Sequence, residues 1–173
     1  MRSDQTARDN LIKTMLFLHS RGWCDGTGGN FSVCLQHDPL QLLMAPSGVD
    51  KGSVQAEELI VVDANGAVTD GNGRASAETE LHLCIMSSVG AGAVLHTHSV
   101  AATVLSRVHG CDGFVQLEGW EMLKGLNGIK SHETTLAIPV VANNQDMQQL
   151  SASVKAHLHG PAWGILVAGH GLY

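Results

Sequence analysis

Apolar residues recur along the chain with two periods, and the switches between them mark out its elements. Over residues 4 to 20, Leu11, Met15 and Leu18 repeat at helical spacing with Ile12 and Leu16 beside them, and Gly22 follows as a stop signal. That pattern predicts an amphipathic helix whose role is packing. Phe31 to Leu35 and Leu42 to Ala45 predict an antiparallel strand pair turned at His37-Asp38-Pro39. Leu59 to Asp63 predicts another strand, Asn65-Gly66 its hairpin turn, and Asp70 to Ala75 a surface loop. Ser76 stands where an N-cap is expected, and Leu81, Ile85 and Val89 carry the apolar face of the helix behind it.

Val94 and Leu95 predict a short strand, and Ser99 a cap for a helix through Ala101, Val104 and Leu105. The strand Ala137 to Ala142 contains Pro139, which cannot donate to a ladder, so it is expected near an edge. Asp146 to Leu158 predicts a helix with Met147, Leu150, Val154 and Leu158 inward. From Trp163 a buried strand is expected to run into His170. With 173 residues, the length prior is one domain.

Composition narrows the partners. Hydrophobic residues make up 44% and charged ones 15%, as in an ordinary globular protein. A net charge of −6 without a Lys/Arg run argues against nucleic acid or an anionic membrane as partner, so a bound anion must be held locally. The cysteines Cys24, Cys34, Cys84 and Cys111 form no CxxC pair, the chain opens polar, and no apolar run approaches a membrane span. Reduced thiols in a cytoplasmic protein are the expectation.

Candidate chemistry centres on His96 and His98. In an extended backbone their i, i+2 spacing puts both imidazoles on one face, an arrangement that suits a divalent metal, most often zinc, once a third ligand is found. His170, flanked by Gly169 and Gly171, supplies one from a distant strand. The other seven histidines, His82 among them, lack such pairing and read as ordinary. The loop Gly26-Thr27-Gly28-Gly29-Asn30 can turn tightly and cradle a phosphate or carboxylate, or can be a plain turn. Ser47 and Gly48 offer a second anion contact, with Lys51 able to supply a charge. Ser76 opens a helix N-terminus suited to phosphate, where Glu78 complements the helix dipole. Glu118 and Glu121, three apart, read from the residues alone as solvated helix charges.

Thr27-Gly28-Gly29-Asn30, Ala45-Pro46-Ser47-Gly48, Ser76-Ala77-Glu78, His96-Thr97-His98-Ser99 and Gly169-His170-Gly171, in that order, resemble the class II aldolase/epimerase superfamily. Within it, Leu117 to Gly125 and Ala45 to Lys51 are similar to the methylthioribulose-1-phosphate dehydratases of methionine salvage. The resemblance implies a three-layer α/β/α fold with a mostly antiparallel sheet. It implies one zinc per subunit on His96, His98 and His170, and a phosphate cradle of Gly28, Gly29, Asn30, Ser47, Gly48 and Ser76. It further implies a homotetramer with sites at subunit interfaces, and dehydration of a ketose 1-phosphate to a 2,3-diketone phosphate through a zinc-stabilised enediolate. Glu121 corresponds to the family's acid/base, and Glu118 is structural. Glu78 corresponds to the acid/base of the superfamily's phosphate aldolases, so an aldolase or epimerase is the alternative, and a silent scaffold a second one. Members of the family continue beyond the Gly-His-Gly-Leu-Tyr segment, so a C-terminally shortened chain is expected.

Overall fold

The computed structural model describes residues 2–159 and 164–173, so Trp163 lies outside the described residues. Their order is α1 (Arg2–Ser20), β1 (Asn30–His37), β2 (Leu40–Met44), β3 (Ile60–Asp63), β4 (Val68–Asp70), α2 (Thr79–Val89), β5 (Ala93–His96), α3 (Val100–Val108), β6 (Phe114–Glu118), β7 (Thr135–Val141), α4 (Met147–Lys155), β8 (Leu166–Val167) and β9 (Gly171–Leu172).

Strands β4-β3-β2-β1-β5 form one sheet and β6-β7-β8-β9 a second. Thr97 and Leu172 exchange backbone hydrogen bonds of 2.9 and 3.0 Å, which joins β5 to β9 and runs the two sheets together. Every named pairing is antiparallel except β7 with β8. The period of two decides the layers. Leu43 of β2 and Val61 of β3 face α1, where Leu11, Met15 and Leu18 close over Phe31. Their neighbours Leu42, Met44, Ile60 and Val62 face the other way, onto Leu81, Ile85 and Met86 of α2 and Leu150 and Val154 of α4. Each such side chain, fully buried, contributes about 1.5–3 kcal/mol of transfer free energy. A smaller cluster of Val115, Val140 and Leu166 packs beneath Ala102 of α3.

Four expectations are corrected. Leu16 is exposed, so the buried stripe of α1 is narrower than its apolar content implies. Helix α2 begins at Thr79 with Glu78 as its N-cap; Ser76 sits two residues earlier and accepts the Glu78 amide at 3.3 Å. Strand β7 lies inside its sheet and not at an edge. It tolerates Pro139 because pairing with β8 begins only at Val140, whose own N–H points the other way, to the Gly113 carbonyl. Finally, His170 does not end a long strand but sits in the turn between β8 and β9.

Candidate metal centre and its surroundings

Strand β5 delivers His96 at its last residue, and the chain runs through the Thr97 bridge to His98. The β8–β9 turn delivers His170 from the neighbouring strands. Two hydrogen bonds to α3 fix that turn: Thr103 Oγ1 donates to the His170 carbonyl at 3.0 Å, and the Gly169 amide donates to Ser106 Oγ at 3.0 Å. Gly171 is required here, because a Cβ on it would lie on the Thr97 carbonyl and against the His96 and His98 rings. The three imidazoles therefore converge, with His96 Nε2 2.8 Å from His98 Nε2 and 3.3 Å from His170 Nε2.

The protonation pattern at this point follows from the partners. His96 Nδ1 lies 3.1 Å from the Leu172 carbonyl, which can only accept, so Nδ1 carries the proton and Nε2 presents its lone pair to the other two rings. Burial first, and then the neighbouring His98 and His170, push the His96 pKa well below its ordinary value. Burial and His170 lower His98 in the same direction. Neutral imidazoles with facing nitrogens are metal-ligand chemistry, and tetrahedral ligation at Zn–N of about 2.0–2.1 Å sets N···N edges of roughly 3.3–3.4 Å. The donor set fits a divalent ion, and the carbonyl behind His96 orients its ligand ring from outside.

Glu78 sits beside this cluster. Its Oε1 lies 3.3 Å from His170 Nε2 and 3.8 Å from His96 Nε2, while its other oxygen accepts from the Asn30 side-chain amide. Asn30 pairs with His96 across β1 and β5 and so reaches the same end of the sheet. Gly29 has φ +75°, and a Cβ there would come within 2.7 Å of the His96 carbonyl; a Cβ on Gly28 would come within 3.1 Å of His98 Nδ1. The glycine loop is thus pressed against the histidine strand. Ser47 commits its amide to the Arg74 carbonyl at 2.8 Å, and Gly48 follows on the exposed side.

The structure separates Glu121 from this assembly. It opens the short helical turn Glu121–Gly125, and its exposed carboxylate pairs with Lys124 and lies 3.5 Å from His132. The preceding strand β6 lies four strand positions from β5, about 19 Å at ~4.8 Å per strand. Glu118 ends β6 and accepts from Gln116 at 3.0 Å.

Two neighbours of the cluster, Tyr173 and His82, were not singled out by the sequence. The Tyr173 ring stacks on His96 at 3.9 Å between centroids, and its phenol pKa is pushed up by burial and by the Glu78 charge. His82, one helical turn after Glu78, is fully buried with Nδ1 2.7 Å from Ser32 Oγ, and burial lowers its pKa to about 3. Its four-residue spacing from Glu78 was legible; its burial was not.

Residues 9–173 match the model of the class II aldolase and adducin N-terminal domain family. A methylthioribulose-1-phosphate dehydratase from Sorangium cellulosum is 44% identical over 94% of this chain and 78% of its own length. One from a Bradyrhizobium strain is 41% identical over 97% of this chain and 79% of its own. Among solved structures, YgbL of Klebsiella pneumoniae, described as a putative aldolase/epimerase/decarboxylase, superposes with a TM-score of 0.80 at 28% identity, covering 98% of this chain and 77% of that one.

Proposed function

The chain belongs to the class II aldolase and adducin N-terminal domain family, and from that membership we propose that it is a methylthioribulose-1-phosphate dehydratase of methionine salvage. The observation that carries this reading is the 44% identity to a dehydratase across nearly the whole chain. The convergence of His96, His98 and His170 supports it as the metal centre, and zinc is the metal proposed. When bound there, zinc would act as a Lewis acid toward the ketose carbonyl and lower the barrier to proton loss at C3.

The rest is work for the side chains. Gly28, Gly29, Asn30, Ser47, Gly48 and Ser76 are the proposed phosphate cradle. Glu121 is the proposed acid/base: its carboxylate takes the C3 proton and returns it to the departing C4 hydroxyl, so that water leaves and the enol ketonises to 2,3-diketo-5-methylthiopentyl 1-phosphate. With β6 four strands from β5, Glu121 is proposed to serve the histidines of a second copy, and the homotetramer with shared sites is the assembly that the family resemblance implies. No helix among the described residues is long and apolar enough to cross a membrane, and a cytoplasmic enzyme acting on a phosphorylated sugar is the reading adopted.

A second reading rests on Glu78, whose carboxylate already lies 3.3 Å from His170. As acid/base it would favour cleavage of C3–C4, as in a sugar-phosphate aldolase. Zinc-loaded protein given methylthioribulose 1-phosphate and followed by NMR separates the two. The diketone phosphate is the expected product; dihydroxyacetone phosphate with an aldehyde would move the chain to the aldolases.

A further inference from the structure

Lys51 is the one lysine among the described residues that is fully buried, at 1% exposure. Its Nζ donates to the Thr27 carbonyl at 3.1 Å and the Val49 carbonyl at 3.0 Å, and its own amide donates to the Gly26 carbonyl at 3.0 Å. One side chain thus ties the glycine loop, which leans on His96 and His98, to the loop that carries Ser47 and Gly48. An ammonium has three donors, and these two carbonyls take two of them.

The charge is the informative part. Among the described residues no carboxylate forms an ion pair with Lys51. Burial pushes the Lys51 pKa down, and the exposed Asp50, whose carboxylate accepts the Gly52 amide at 2.8 Å, offsets this only in part; Asp25 is exposed as well. The adjacent thiol of Cys24 is buried, and burial raises its pKa, so it stays neutral. A buried cation without a counter-ion works against folding, whereas one that meets an anion after folding contributes to binding.

We propose that Lys51 is a positioning residue for an anionic ligand group: it holds the 26–30 and 47–49 loops as one cradle and supplies the positive charge beneath them, the ligand's phosphate acting as its missing counter-ion. This rests on the reading of the chain as an enzyme of a phosphorylated ketose.

The test compares zinc-loaded wild type with Lys51→Met by titration calorimetry of inorganic phosphate, by KM and kcat, and by thermal melting. Loss of a charge-assisted contact of this kind is expected to weaken phosphate binding and raise KM about 10- to 100-fold, with kcat falling by less than KM rises. The melting temperature is expected to fall whichever role Lys51 has, since the Thr27 and Val49 carbonyls lose their donor, so phosphate affinity is the deciding readout. A purely structural lysine would leave phosphate affinity of the folded variant within about threefold of wild type, and that result overturns the proposal. Lys51→Gln keeps polarity without charge and provides the same comparison; loss of fold in both variants would assign Lys51 to the core and also overturn it. Phosphate binding is read without turnover. Wild type that binds phosphate through Lys51 but fails to dehydrate methylthioribulose 1-phosphate therefore sinks the dehydratase reading alone.

Discussion

The histidine end of β5 and the turn after β6 are built on opposite terms. At the first, a buried His96 and the half-buried His98 and His170 are fixed by the Leu172 carbonyl, the β8–β9 turn and α3, and the nearby Glu78 side chain is only 15% exposed. At the second, Glu121 is 66% exposed and held by the solvent-facing partners Lys124 and His132. Exposed ion pairs are worth about 0–1 kcal/mol and do not lock a carboxylate in place. One chain therefore organises a ligand set by its own packing, and leaves its proposed acid to be organised by something outside it.

The largest expected effect breaks the first region. His96→Ala removes the ring that touches both other histidines, and metal analysis should find the bound ion lost and turnover at background. Retention of stoichiometric metal with full activity would show that the cluster is not the centre. Next comes the second region: Glu121→Gln should lower kcat by about 10²–10⁴-fold at unchanged metal content. Mixing this variant with His96→Ala and letting subunits exchange should restore part of the activity, because hybrid assemblies regain sites with both groups intact. Absence of any rescue would mean that each chain uses its own Glu121.

The rigidity of the histidine end gives the third test. Gly171→Ala places a methyl on the Thr97 carbonyl, and overpacking of this order costs about 1–3 kcal/mol, read as a lower midpoint in denaturant together with weaker metal binding. The smallest effect comes from His82. Its folded pKa is about 3, while a histidine in the unfolded chain titrates near 6.5, so the unfolded state binds more protons between those values. Stability is full above pH 6.5 and is lost as the pH falls toward 3, by about 2 kcal/mol at pH 5. His82→Gln should shrink the drop in melting temperature between pH 7 and pH 5 by about 4–8 °C for a chain of this size. An unchanged drop would show that the imidazole escapes its burial cost.

The same contrast explains what could be read in advance. The unbroken apolar runs Leu42–Met44 and Ile60–Val62 marked two strands, but which of their residues face α1 and which face α2 was not legible, because every residue of a run covered on both sides is apolar. The Ser99 cap was legible because a cap is a local hydrogen bond, here from the Ala102 amide; Asp146, read only as the first residue of its helix, proves to be its cap and accepts from the Gln148 and Gln149 amides. The start of α2 was not, since Ser76 takes the Glu78 amide in a turn of its own before the helix begins. Pro139 misled for a related reason: whether a missing donor matters depends on where the neighbouring strand begins to pair.

The sequence by itself determined the three ligand types, the family motifs and the local elements, all of which depend on residues near one another in the chain. Only the tertiary structure decided that His170 meets His96 and His98, that Asn30 holds Glu78, that Lys51 is buried against the Thr27 and Val49 carbonyls, and that Glu121 stands four strands away. Those outcomes depend on strand order across a bridge between Thr97 and Leu172, 75 residues apart, which no local period encodes.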